Sequence, residues 1–179
     1  YLQEALIKIE QLQDLNLTWH FIGPIQSNKT KDIAQHFDWV HSVDRTKIAQ
    51  RLSKQRPEDF PPMNVCIQVN IDNEESKSGI NESAIIPLAE QIDLLDNLTL
   101  RGLMIIPSKT DDIEQQRLSF HKAHALYQQL CAKYLSIDTL SMGMSNDMAT
   151  AISEGSTMVR IGSGIFGQRT THPAPGQVN

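Results

Sequence analysis

Asn64-Val65-Cys66-Ile67-Gln68-Val69-Asn70-Ile71 is the stretch on which the fold of this chain turns. Its residues alternate with the period of a strand. Val65, Ile67, Val69 and Ile71 share one face, and Asn64, Cys66, Gln68 and Asn70 share the other. The aliphatic face calls for a layer of helices. The polar face then points into an interior where hydrogen-bonding partners or a ligand can meet it. A polar loop over 72–79 follows, and Asn81 opens a helix carrying Ile85, Leu88, Ala89 and Ile92 at helical spacing. This strand, loop and helix form the unit to look for in both directions.

The unit recurs. Upstream, 19–24 is a short apolar run stopped by Gly23-Pro24, with Ser27 or Asn28 placed to cap a helix reaching about Phe37. Residues 39–43 read as a strand, and Asp44 as the N-cap of a helix with Ile48, Ala49 and Leu52. Downstream, strand 100–106 stops at Pro107, and a long helix spans about 113–134. Strand 139–144, a short helix over 147–153 and strand 158–162 follow. Leu2, Ala5, Leu6, Ile9 and Leu12 share a helical face at the start, with no strand before them. Strands alternating with helices give βαβ units and a parallel sheet. One solution is a doubly wound open sheet. The other is a (β/α)8 TIM barrel with its first two strands missing. A full barrel takes about 250 residues, against 179 here, and the chain opens in mid-helix at Tyr1. Both facts favour the second solution. The expected organisation is one partial barrel over 1–169 and a flexible tail over 170–179.

The chain is 40% hydrophobic and 21% charged, an ordinary globular composition, with a net charge of -5 that argues against a nucleic-acid surface. No apolar run nears the roughly 18 residues of a membrane span, and the N-terminus lacks a signal-peptide layout. Cys66 and Cys131 read as buried free thiols of a cytoplasmic protein. The six histidines show no metal-ligand spacing, so no metal site is expected.

The chemistry concentrates at the last two strand ends. Gly143-Met144-Ser145-Asn146-Asp147-Met148 sets a hydroxyl where a strand gives way to a helix. In Arg160-Ile161-Gly162-Ser163-Gly164 the glycines let main-chain N–H groups approach an anion. Barrels often bind phosphate on the loops after their last two strands. A plain turn and a plain N-cap explain either segment alone; together they raise the phosphate reading. Alternation sends Arg160 and Gly162 inward, and a buried arginine needs either an internal carboxylate or a ligand. His20 reads as a satisfied strand histidine or a ligand contact, Lys77 as an exposed loop charge or a gate residue. Lys29, in the first turn of a helix, hints at an anionic neighbour.

Several stretches resemble the pyridoxal phosphate (PLP) homeostasis family: 19–29, 37–39, 73–80, 100–104, 141–148 and 155–162. The last is also similar to the cofactor strand of bacterial alanine racemases. The resemblance runs to about Arg169. It implies an α/β barrel of the alanine racemase N-terminal type, with PLP bound as a Schiff base to a lysine on an early strand. It further implies that Ser145, Gly162 and Ser163 hold the phosphate, that Arg160 sits near the pyridine nitrogen, and that His20 belongs to the site. The family's lysine would lie upstream of Tyr1, so this chain is expected to hold PLP non-covalently and weakly. The implied function is PLP binding in intracellular homeostasis without catalytic turnover, by a monomer or weak homodimer with no membrane or nucleic-acid partner. The alternatives are a PLP-dependent amino-acid racemase-like enzyme and a barrel enzyme acting on a phosphorylated metabolite.

Overall fold

In the computed structural model, which describes residues 1–74 and 76–167, the strands are β1 (His20–Phe21), β2 (Trp39–Val43), β3 (Met63–Val69), β4 (Leu98–Ile105), β5 (Thr139–Met144) and β6 (Met158–Arg160). All pair in parallel, in the order β1-β2-β3-β4-β5-β6. A doubly wound sheet must reverse its order at a switch point, whereas a barrel runs on in sequence. The doubly wound alternative therefore falls away. The expected tail, 170–179, lies outside the described residues.

The sheet is curled. Laid flat, β2 and β5 would stand about 14 Å apart, at three spacings of about 4.8 Å. A histidine and a serine cannot bridge that gap, yet His41 Nδ1 on β2 lies 2.9 Å from Ser141 Oγ on β5. The six strands thus form a trough.

The helix α1 (Leu2–Gln11) precedes β1, the helices α2 (Thr30–His36), α3 (Thr46–Gln55), α4 (Ile85–Asp93), α5 (Ile113–Cys131) and α6 (Met148–Ser153) separate the strands in turn, and α7 (Ser163–Phe166) follows β6. The core joins the convex face of the sheet to these helices. Val65, Ile67 and Val69 meet Val40, Leu103, Ile105 and Leu140 there, together with Ile48, Leu52, Ile92 and Leu130 from the helices. Cys66 and Met104 are fully buried but stand outside that cluster. They share the concave face with Gln68, His41 and Ser141, as the alternation in β3 requires.

Local start signals were less faithful than periodicity. The helix expected to be capped by Asp44 begins at Thr46 after Arg45, and Asp44 instead accepts a hydrogen bond from Arg45 Nη1 at 2.5 Å. Neither Ser27 nor Asn28 caps α2. They form a 3₁₀ turn, Ser27–Lys29, ahead of it, and Thr30 Oγ1 donates back to the Ser27 carbonyl. Asn81 precedes a 3₁₀ turn, Glu82–Ala84, rather than α4 itself. Strand 19–24 shrinks to two residues because Gly23 and Pro24 end the ladder early. Cys66 is buried, but Cys131 is only partly so.

Candidate functional site

Parallel strands deliver their C-terminal ends to one rim of the trough. At the ends of β4, β5 and β6 lies a cleft of about 910 Å³, within the roughly 300–1,000 Å³ of typical ligand sites. Ser145, Arg160, Gly162 and Ser163 all line it. The two glycine-bearing strand ends expected from the sequence are therefore neighbours, and they touch. The Gly164 N–H donates to Ser145 Oγ at 3.2 Å. Gly164 allows this closeness, since a Cβ there would lie 3.3 Å from Ser145 Oγ and 3.2 Å from Ile161 Cγ2. A Cβ at Gly162 would meet nothing, so that position opens onto free space. Asp147 shapes the first loop by accepting from the Met144 N–H at 2.5 Å. Ser145 is not a helix cap; Asp147 takes the N-cap position of α6.

Arg160 gives the site its charge. Its Nη1 donates to Ser141 Oγ at 2.8 Å and its Nη2 to the Ile105 carbonyl at 2.9 Å. Both acceptors are neutral, and among the described residues no ion pair neutralises it. Burial lowers its pKa and attraction to Asp147 works the other way, but a guanidinium stays protonated regardless. Of the two readings of a buried arginine, the internal carboxylate is not what the fold supplies.

His20 stands elsewhere. It lies on β1, at the edge of the sheet, half-buried and stacked on Trp39 with ring centroids 5.2 Å apart. It is not among the cleft's lining. Its Nδ1 lies 2.8 Å from His41 Nε2, and His41 Nδ1 lies 2.9 Å from Ser141 Oγ, the acceptor of Arg160. Burial lowers the pKa of His20, with Asp38 opposing. Burial, followed by the nearby His20 and Arg160, pushes His41 down to about 3. His41 and Ser141 had not been singled out from the sequence. The signal was present: alternation in β2 sets Trp39 and His41 opposite Val40, just as it sets Gln68 opposite Val69 in β3.

The opposite wall of the cleft comes from the loops after β3 and β4. Asp72 accepts from the Ser108 N–H at 2.5 Å and from Ser119 Oγ at 2.7 Å. Glu74 accepts from the Ser108 hydroxyl and pairs with Lys77 Nζ at 3.1 Å. Burial raises the Asp72 pKa, but these hydrogen bonds outweigh it and hold the group below its ordinary value. Lys77, read from sequence as a loop charge or a gate, lines the cleft. Lys29 stands in the turn before α2, outside the cleft lining. Among the described residues no group of three or more His, Cys, Asp or Glu side chains could hold a metal, and no helix is long and apolar enough to cross a membrane.

The alanine racemase N-terminal domain model matches residues 1–170. Pyridoxal phosphate homeostasis proteins of Vibrio alginolyticus and Escherichia coli K12 are 56% and 49% identical over 173 and 172 residues. Each alignment covers 94% of this chain and 74% of the relative. The chain belongs to the pyridoxal phosphate homeostasis protein family. Among solved structures, PipY of Synechococcus elongatus PCC7942 with PLP bound superposes with a TM-score of 0.84 at 34% identity, over 93% of this chain and 79% of that one. An alanine racemase of Clostridium difficile 630 matches at 13% identity and a TM-score of 0.64, over 88% of this chain and 42% of that one. That second likeness is one of fold alone. The curled parallel sheet is thus the alanine racemase N-terminal fold expected for this family.

Proposed function

We propose that this chain binds pyridoxal 5'-phosphate at the C-terminal ends of β4, β5 and β6, and that it serves PLP homeostasis without catalytic turnover. The observation that carries this reading is the Gly164 N–H to Ser145 Oγ hydrogen bond. It joins the last two strand ends into one polar cup on the cleft that Arg160 also lines. Family membership supports it, as does the PLP-bound PipY structure.

The residues fit the group. Ser145 Oγ accepts one hydrogen bond and, among the described residues, keeps its own hydrogen to give. Gly162 leaves open space beside Ser163. In this reading Ser145, Gly162 and Ser163 take the phosphate through a hydroxyl and main-chain N–H groups, which favour an anion. Arg160, with no carboxylate of its own, faces the pyridine nitrogen. When bound, the coenzyme supplies an aldehyde and an electron-withdrawing ring. An arginine cannot hand that ring a proton, so the chain holds it in a weakly activating state, as suits a carrier. His20 reaches the site through His41 and Ser141 rather than by lining the cleft. We read the six strands as the last six staves of a (β/α)8 barrel with 1–169 as the binding unit. The protein would be cytoplasmic, a monomer or weak homodimer, without a nucleic-acid or membrane partner.

Fluorescence titration with PLP tests the cup. Ser145→Ala removes one charge-assisted hydrogen bond, and affinity should fall about tenfold, for inorganic phosphate as for PLP. Unchanged PLP affinity in both Ser145→Ala and Ser163→Ala would refute the assignment. Borohydride reduction and peptide mapping should leave no pyridoxyl-lysine within this chain.

A further inference from the structure

Arg160, Ser141, His41 and His20 form one chain of hydrogen bonds across the trough, from β6 through β5 and β2 to β1. Its direction follows from the first link. A guanidinium only donates, so Ser141 Oγ must accept from Arg160 Nη1. Ser141 is completely buried, and its only other side-chain partner among the described residues is His41 Nδ1. A buried hydroxyl hydrogen left unpaired costs about 1–3 kcal/mol, so it points at that nitrogen. His41 Nδ1 is therefore the bare, accepting nitrogen, and Nε2 carries the ring's proton. That proton points at His20 Nδ1, which leaves His20 protonated on Nε2. Every donor in the chain has one acceptor, and one set of tautomers satisfies all three contacts.

A planar guanidinium is fixed once two of its N–H groups are fixed. Ser141 Oγ and the Ile105 carbonyl do this for Arg160. Three of its five N–H groups remain, on a residue that lines the cleft. Asp147 is close enough to favour the Arg160 charge, and it lines the same cleft. An unrestrained guanidinium would turn toward that carboxylate or toward an anionic ligand tail. We propose that His41 is a positioning residue for Arg160: by fixing the Ser141 hydroxyl as a pure acceptor toward the arginine, it keeps the guanidinium aimed at the ligand's ring nitrogen. The proposal rests on the PLP reading and adds to it a residue on β2 that touches no ligand.

The test compares PLP with its 1-deaza analogue, which keeps the phosphate and aldehyde but lacks the ring nitrogen. The wild-type chain should bind PLP about tenfold more tightly than the analogue, one charge-assisted hydrogen bond's worth. His41→Phe should bring that ratio close to one by weakening PLP alone. His41→Gln, whose amide can both accept and donate, should restore most of it. Unchanged affinity for the 1-deaza analogue serves as the folding control. Ser141→Ala is read in the same way should His41→Phe fail to fold. The proposal is overturned if the His41→Phe and Ser141→Ala chains keep the wild-type ratio, or lose affinity for both ligands alike. A wild-type chain that binds neither compound better than inorganic phosphate overturns the PLP reading itself, an outcome visible before any variant is made.

Discussion

Gly102 shows how narrow the tolerances are where β4 pairs with β5. It sits at φ +150°, and a Cβ there would overlap the main-chain carbonyl of Thr139 on β5. Any larger residue combines backbone strain with overpacking between paired strands, each costing about 1–3 kcal/mol. Gly102→Ala should therefore lose about 3 kcal/mol, read as a lower urea midpoint at constant slope. His41 makes a different demand. Its folded-state pKa of about 3 lies below the ordinary 6.5. Below pH 6.5 the unfolded chain takes up a proton that the folded chain refuses, so stability falls as the pH falls. The loss should reach about 2 kcal/mol between pH 6.5 and 5, at roughly 1.4 kcal/mol per unit. His20 is lowered too and acts in the same direction. Carboxylates held below their usual range, such as Asp72 and Asp138, lose their contribution only at lower pH. Urea titrations at the two pH values should show a shallower dependence in His41→Gln than in wild type.

At the scale of elements, α5 (Ile113–Cys131) is the helix with a clear electrostatic start. Asp112 accepts from the Glu114 N–H at 2.9 Å and the Gln115 N–H at 3.4 Å. Asp112→Ala should cost about 1 kcal/mol, whereas Asp44→Ala, at the start expected for α3, should cost little, because no side-chain cap is made there. That contrast explains which parts of the fold were legible. Periodicity reports burial, and burial is a property of a whole element. The strands at 39–43 and 139–144 were read with the bounds the fold has, and the long helix at 113 with its start. Caps depend on one rotamer and one turn of backbone, which tertiary contacts decide. Asp44 turned to Arg45, and α7 formed inside a segment that reads only as a glycine loop. That 143–148 and 160–164 meet on one cleft was legible because Ser145 and Gly162 each follow a recognisable strand. The His41–Ser141 contact was not, because it joins strands β2 and β5 that pair with each other nowhere in the sheet and meet only through its curl.

For the whole molecule, burial falls from the centre of the sheet to its edges. β3 and β4 lie at the centre and carry fully buried residues on both faces, among them Cys66, Ile67, Leu103 and Met104. β6 is three residues long, edges the sheet and is only partly buried. Regions with little burial open most readily, so β6 and the loops after β5 and β6 should exchange their amide hydrogens faster than β3 and β4. A ligand held by both loops binds only the closed arrangement. At about a hundred times its Kd, PLP should add roughly 2.7 kcal/mol to stability. For a domain of this size that is a rise in Tm of about 5–10 °C. Local effects are more telling than the midpoint. Protection should grow more across 143–148 and 160–167 than in β1 and β2, whose link to the cleft is the preformed His20–His41–Ser141 chain. Protection that rose evenly over all six strands would mean that PLP stabilises the molecule without seating in the cup, whereas a rise confined to the lysine-bearing loop 72–79 would move the site to the opposite wall of the cleft.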